Sequence, residues 1–204
     1  LTGGLGWDEL EGGAGTDYLF LNSGDLEQEV VFLNINNDGF DVIDGFHFGG
    51  GIGGLGFDRM NLTAPAGLGL IGGAANVLTT NINDGIGTTA DLNGDTAASV
   101  GLSLNRIVGP TDYLGVGTTI ANAVTRAELQ LSDGGVDFLG NTTALNQGAL
   151  ALLTDNGTNH YLFLVVDANN NHVTNAGEVT LISVFTNSTN INNMTTIDFN
   201  TAAG

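Results

Sequence analysis

Short runs of apolar residues alternate along the chain with clusters of Gly, Asn and Asp. Runs bounded in this way by turn-forming residues are typical of β-strands joined by tight turns. One run, at residues 160–167, is apolar almost throughout, which predicts a strand that is buried on both faces. The predicted strands are residues 18–21, 29–34, 41–46, 136–139, 161–166 and 179–185.

The middle of the chain, residues 63–135, is rich in Gly, Ala and Thr and has few aromatic residues. Within it, residues 118–131 carry apolar residues at helical spacing, although the second half of this segment also alternates as a strand would. The sequence therefore predicts a mainly β protein with few short helices. The residues on one side of the predicted helix are Ile120, Val124, Ala127 and Leu131.

The chain of 204 residues is strongly acidic, with 22 Asp and Glu against 3 Arg and no Lys, for a net charge of −19. Nothing in it neutralises phosphates, which argues against nucleic-acid binding and against docking on anionic lipid without a bridging metal. This charge opposes compaction, and a divalent cation would relieve the repulsion; solubility alone is the alternative explanation. The chain has no Cys and no run of 18 apolar residues, which argues against disulfides, thiolate metal sites and a membrane span.

Two contiguous nine-residue units open the chain, GGLGWDELE at residues 3–11 and GGAGTDYLF at residues 12–20. Both match G-G-x-G-x-D-x-U-x, where U is a large apolar residue, and so resemble the calcium-binding repeat of RTX (repeats-in-toxin) proteins. The alternative is a Gly-rich linker that matches by chance. The matching residues are Gly3, Gly4, Gly6, Asp8 and Leu10 in the first unit and Gly12, Gly13, Gly15, Asp17 and Leu19 in the second.

A third match, GGLGFDRMN, lies at residues 53–61. With the segment before it, it resembles the cap of the calcium β-roll in serralysin-type C-terminal domains. Asp41, Ile43 and Phe46 fit the first half of that cap. Gly45 stands where the family usually has Asp, and the Gly-rich insert that follows is longer than in the family. The residues that fit the second half are Gly56, Asp58, Met60 and Leu62.

The resemblance implies a short parallel β-roll that binds Ca²⁺. Glycine turns expose backbone carbonyls, the Asp adds a carboxylate, and together they offer the six to eight oxygens that Ca²⁺ requires. The U residue begins a strand and points into the core. The implied ligands are Gly3, Gly6, Asp8, Gly12, Gly15, Asp17, Asp41, Gly56 and Asp58.

A second calcium candidate is the twelve-residue segment DANNNHVTNAGE at residues 167–178. It has oxygen donors at the positions of an EF-hand loop, although His172 replaces the usual Gly and the flanking segments are predicted strands. The alternative is a polar hairpin loop that binds no metal. The candidate ligands are Asp167, Asn169, Asn171, the carbonyl of Val173, and Glu178.

No enzymatic activity is predicted, because the chain contains neither H-E-x-x-H nor G-x-S-x-G. His47 lies in the cap segment and is interpreted as a structural polar residue. Residues 136–199 resemble, in pattern only, the closing strands of RTX proteins exported by type I secretion. The chain then divides into a β-roll with its cap at 1–62, an intermediate region at 63–135, and a β-sandwich-like region with a secretion-signal-like end at 136–204.

On the resemblance we expect a secreted, calcium-binding structural protein of the bacterial surface or matrix, an S-layer or filament subunit that assembles with copies of itself. The alternative is the calcium-dependent folding and secretion module of an enzyme or toxin whose catalytic domain lies upstream of Leu1. An adhesin is a third hypothesis, with cell-surface polysaccharide as its partner, but Trp7 and three Tyr offer few exposed aromatic residues.

Overall fold

The structure is a computed structural model, and it describes residues 1–22, 27–35, 39–49, 56–63, 78–79, 103–106, 114, 117–133, 147–155, 159–169, 174–191 and 199–201. The protein is mainly β, as predicted from the sequence. Its residues form two compact units: Leu1–Pro65 with Ile182–Gly204, here called the first unit, and Ala66–Leu181, the second unit. The described elements are β1 (Glu9–Glu11), β2 (Tyr18–Phe20), β3 (Val30–Asn34), β4 (Asp41–Asp44), β5 (Arg59–Thr63), β6 (Leu78–Thr79), β7 (Ser103–Arg106), α1 (Ile120–Asp133), β8 (Gln147–Thr154), β9 (His160–Asp167), β10 (Val179–Thr186) and β11 (Phe199–Thr201).

Two parallel sheets make up the first unit, and successive strands alternate between them. One sheet has the order β1-β3-β5-β11, and the other contains β2, β4 and the end of β10, in that order. At residues 12–17 a tight Gly-rich turn carries the chain from β1 in one sheet to β2 in the other. Parallel pairing then places the same repeat position of neighbouring strands side by side.

The core of the first unit consists of matched apolar residues from neighbouring strands. In one sheet Leu10 pairs with Val31 and Val31 with Met60. In the other sheet Leu19 pairs with Ile43, which in turn pairs with Phe185. All six side chains are buried. Residues on either side of Leu10 and Leu19 are exposed, so β1 and β2 each bury one face only.

Three aromatic side chains fill the core beyond β4. The ring centroids of Phe46 and Phe48 are 4.7 Å apart, and those of Phe46 and Phe185 are 5.2 Å apart in an edge-to-face arrangement. Such tilted contacts add to the stabilisation that comes from burial alone. Phe185 belongs to β10, so this cluster attaches a C-terminal strand to the N-terminal repeats.

In the second unit, β6, β7 and β8 pair in parallel, and β8 pairs with β9 in antiparallel orientation. Residues Tyr161 to Val165 of β9 are all buried, which confirms the prediction of a strand covered on both faces. Helix α1 confirms the predicted helix and not its strand alternative. Its buried side contains Ala123, Ala127 and Leu131, whereas Ile120 is exposed.

The start of α1 is capped by its own side chains. Thr119 precedes the helix, and its N–H donates to Asn122 Oδ1 at 2.8 Å, one half of a capping box. Arg126 Nη1 donates to the Leu114 carbonyl at 2.7 Å, which holds the preceding segment against the helix.

The other predicted strands are confirmed within one or two residues at their ends by β2, β3, β4 and β10. The strand predicted at residues 136–139 lies outside the described residues. The β-sandwich-like C-terminal region and the three-segment division remain predictions. Among the residues that the structure describes, no helix is long and apolar enough to cross a membrane.

Candidate metal centre

An acidic residue stands at the start of each strand of the repeat region, and parallel pairing stacks these residues into two rows. In the first row Asp8, Glu29 and Asp58 precede β1, β3 and β5. The N–H of Val30 donates to the Asp8 carbonyl and that of Arg59 to the Glu29 carbonyl, each at 2.8 Å. We call these three residues the first acidic ladder.

The second acidic ladder contains Asp17 and Asp41, at the start of β2 and β4. Tyr18 pairs with Val42, so Asp17 lies beside Asp41. Val42 N–H donates to the Asp17 carbonyl at 2.8 Å, and Asp17 N–H donates to Asp41 Oδ1 at 3.0 Å. Strands are spaced by about 4.8 Å, and like charges directly opposite each other destabilise a sheet. Each ladder therefore concentrates negative charge where a cation would be favourable.

The turn at Gly12 brings the two carboxylates of the second ladder together. A Cβ atom placed on Gly12 would lie 3.0 Å from Asp17 Oδ2 and 3.1 Å from Asp41 Oδ2. Two carboxylate oxygens thus converge on one point that only a glycine leaves open. We call this arrangement the cradle at Gly12, and it explains why the second repeat unit begins with Gly.

The third Gly of each repeat unit is explained by backbone conformation. Gly6 and Gly15 have φ values of 100° and 109°, which residues with a side chain rarely adopt. Gly15 also meets the turn of the neighbouring strand, since a Cβ on Gly39 would be 2.9 Å from the Gly15 carbonyl oxygen. Gly56, in the third repeat, has φ of 82°. The turns at Gly15 and Gly39 are therefore in close contact.

At the first ladder, Asp8 is half-buried and its Oδ2 accepts from Gly4 N–H at 2.6 Å. A Cβ on Gly3 would lie 3.3 Å from the same oxygen. The first Gly of both complete repeat units thus leaves room for the Asp carboxylate of its own unit.

Glu29 and Asp58 are almost completely buried, at 1% and 2% exposure. Asp58 Oδ1 accepts from Glu29 N–H at 3.1 Å, and Oδ2 accepts from His47 N–H at 2.7 Å. Burial raises the pKa of Asp58, and this outweighs the lowering caused by the Glu29 side chain, the two N–H donors and the charge of His47. A buried carboxyl with a raised pKa is one that a nearby cation would stabilise in its charged form.

Glu29 is the ladder residue that the repeat pattern missed. It lies two residues before the buried Val31, as Asp8 lies before Leu10 and Asp58 before Met60. An acidic residue two positions before a large apolar one was the available signal. It was hidden because residues 21–29 lack the glycines of a repeat unit.

His47 is held in a polar and aromatic environment. Its Nε2 is hydrogen-bonded to Asn190 Nδ2, and its ring lies edge-on to Phe57 with 5.1 Å between centroids. These contacts place His47 in the packing around Asp58.

The predicted EF-hand-like loop is described only in part. Glu178 Oε1 accepts from Ala168 N–H at 3.0 Å, and Oε2 accepts from Asn175 N–H at 2.7 Å. Asp167 ends β9 and Asn169 is exposed. Asn171 and Val173 lie outside the described residues. Glu178 therefore closes this loop through N–H donors, and its calcium role stays a prediction.

Within the described ranges, no group of three or more His, Asp or Glu side chains is arranged so that it could hold a metal ion. The cradle at Gly12 offers two carboxylates, so further ligands would be the carbonyls of the stacked turns. A donor set made only of oxygen suits Ca²⁺ and not the softer metals.

No family model, curated protein or solved structure matches the chain. Any functional proposal therefore depends on the chemistry of the ladders and turns described above.

Replacing Gly12 by Ala is expected to destabilise the first unit. The new Cβ would lie 2.8 Å from Asp17 Cβ and would push both converging oxygens away. Neither Gly12 nor Gly4 has a positive φ, and a Cβ on Gly4 meets only Asp8 Oδ2, at 3.7 Å, which makes Gly4→Ala the matched control. In urea unfolding with calcium present we expect a loss of about 1–3 kcal/mol for Gly12→Ala and a change within about 0.5 kcal/mol for Gly4→Ala. Equal stability of the two variants would contradict the steric explanation.

The raised pKa of Asp58 predicts a pH dependence of stability in chelator. The contribution of Asp58 is greatest below the ordinary aspartate value of 3.8 and is lost as pH rises through the higher value of the folded state. The stability of the protein relative to Asp58→Asn should therefore decrease as pH rises above about 4. Thermal melting at several pH values in EGTA measures this, and a difference that increased with pH would show the opposite shift.

Proposed function

We propose that the first unit is a short calcium-binding β-roll of the RTX type, and that the chain is a secreted structural protein that assembles with copies of itself. The convergence of Asp17 Oδ2 and Asp41 Oδ2 at Gly12 is the observation that carries the calcium proposal. Two further observations support the calcium proposal. Successive strands of the first unit alternate between two parallel sheets, and the Asp of each repeat directly precedes a strand.

Electrostatics favours a cation as part of the folded state. Two like charges about 4 Å apart repel by about 1 kcal/mol in water and about 4 kcal/mol near a protein surface. The chain adds a net charge of −19 to this local repulsion. With Kd about 0.1 mM and calcium about 1 mM, each occupied site would contribute about 1.4 kcal/mol. A few sites would then decide whether the chain folds.

This balance suits export before folding. Where calcium is scarce, as in the cytosol, the ladders stay unneutralised and the chain is expanded. Outside the cell, calcium neutralises them and the chain becomes compact. Such a difference between compartments is what a type I secreted protein needs, since it is exported unfolded.

Self-assembly is supported by the first strands of the two sheets. In the part of the chain that the structure describes, β1 lies at the edge of its sheet, and β2 pairs with β4 and with the short segment at Thr2. Large apolar side chains are exposed here: Leu5 at 85%, Trp7 at 60% and Tyr18 at 55%. In many natural proteins Lys side chains at a sheet edge prevent that edge from pairing with another chain, and this chain has no Lys. Asp side chains can have the same effect, but bound Ca²⁺ would neutralise them.

Calcium removal is expected to unfold the first unit. Without neutralisation, the stacked carboxylates destabilise parallel pairing, so far-UV circular dichroism should lose β signal in EGTA and recover it when calcium is restored. Magnesium serves as the control, because its smaller, rigid coordination fits flexible turn carbonyls poorly. An unchanged spectrum and melting temperature in EGTA would refute the proposed calcium role.

Calcium addition is also expected to drive assembly of the folded chain. Once Ca²⁺ neutralises the carboxylates at the sheet edges, these edges and the exposed apolar side chains of different copies should associate. Negative-stain electron microscopy would record the product as filaments or sheets. Trp7→Ser with Leu5→Ser is the matched variant, expected to fold but to assemble less. Persistent monomers of the unmodified chain at saturating calcium would refute the structural role.

A further inference from the structure

The second acidic ladder continues into a residue that the repeat pattern does not contain. Asp41 of β4 pairs in register with Ser183 of β10, on the side opposite to Asp17. Ser183 thus occupies, in the third strand of the sheet, the position that Asp17 and Asp41 occupy in the first two.

These three residues share one face of the sheet. In paired parallel strands, residues in register point to the same face, and residues two positions apart point the same way. Two positions later come Leu19, Ile43 and Phe185, which are also paired in register and are fully buried. Asp17, Asp41 and Ser183 therefore lie on the inner face of the sheet.

Ser183 is itself fully buried, at 0% exposure, and its Oγ has no hydrogen-bond partner. A buried hydroxyl without a partner destabilises a folded protein, and such groups are rare in native structures. The Ser183 hydroxyl oxygen is therefore in register with two carboxylates, where a cation that prefers oxygen ligands would give it a partner.

The neighbourhood is open to an ion from solvent. A surface pocket beside the second ladder is lined by Gly13, Gly39 and Asp41, and by Ile182, which precedes Ser183. An ion can therefore reach Asp41 of the second ladder from solvent.

We propose that Ser183 Oγ is a neutral oxygen ligand of a divalent, oxygen-preferring cation held by Asp17 and Asp41. The inference rests on the proposed calcium binding and extends it to a strand outside the repeats. Three oxygens from β2, β4 and β10, with turn carbonyls, suit the flexible coordination of Ca²⁺.

The consequence is that one ion would connect distant parts of the chain. Ser183 follows Asp41 by more than a hundred residues, and the second unit, Ala66–Leu181, lies between them in the sequence. An ion at this point would stabilise the pairing of β10 with β4, so calcium would close the first unit around its last strands.

A calcium titration of the full chain tests this ligand, with calcium chloride alone added after dialysis against EGTA. Calorimetry and far-UV circular dichroism would follow Ser183→Ala. Loss even of an outer-shell partner of a metal ligand typically weakens metal binding 10- to 100-fold, so we expect about a tenfold higher calcium midpoint for one class of site in Ser183→Ala. A purely structural role predicts the opposite sign, because removing an unpaired buried hydroxyl should ease folding and lower the midpoint.

Two further variants keep the test decisive. Ser183→Cys preserves the side-chain volume but offers a soft thiol that Ca²⁺ avoids, so it should match Ser183→Ala even if that variant folds poorly. Ser188→Ala removes another buried hydroxyl without a partner, outside both ladders, and should leave the midpoint within about twofold. A calcium midpoint in the two Ser183 variants equal to or below that of the unmodified chain overturns the inference alone. No calcium binding by the unmodified chain would overturn the proposed function as well.

Discussion

Parallel, in-register pairing is the constraint from which the first unit follows. It places each residue beside its counterpart in the neighbouring strand, so apolar residues form a continuous core and acidic residues form rows. The same geometry that pairs Leu19 with Ile43 brings Asp17 to Asp41. The core cannot form without the acidic rows, and compensation for their charge becomes part of folding.

Compensation takes two forms in this protein. At Asp58 and Glu178, backbone N–H groups donate to the carboxylate oxygens, so each carboxylate also fastens a turn or loop. At Gly12, Asp41 Oδ1 likewise accepts from Asp17 N–H, but the Oδ2 atoms of Asp17 and Asp41 converge on one point. N–H donors can stabilise a single carboxylate, whereas two that share a point repel each other unless a proton or a cation lies between them. The turn at Gly12 is therefore favoured over the loop before β10 as the position of the proposed cation.

The close approach of the carboxylates depends on glycine residues in the turns. The first Gly of a repeat unit leaves space for carboxylates, and the third adopts a conformation closed to other residues. Both requirements arise within a single turn. The nine-residue pattern therefore records a local geometry, which explains why it can be found without knowledge of the neighbouring strands.

Spacing along the chain predicted α1, the strands β2, β3, β4, β9 and β10, and the core positions Leu10, Leu19 and Met60 with the acidic residue before each, because local periodicity and turn chemistry act within a few residues. Strands β6, β7, β8 and β11 were not among the predicted strands. Only the tertiary structure decided which acidic residues become neighbours. It places Glu29 between Asp8 and Asp58, Asp17 beside Asp41, and Ser183 in register with Asp41 on the other side. Those relations depend on which strands become neighbours. The connections differ in length, and the second unit, Ala66–Leu181, separates the N-terminal strands from the end of β10. The sequence therefore has no fixed spacing from which the choice of neighbours could be predicted.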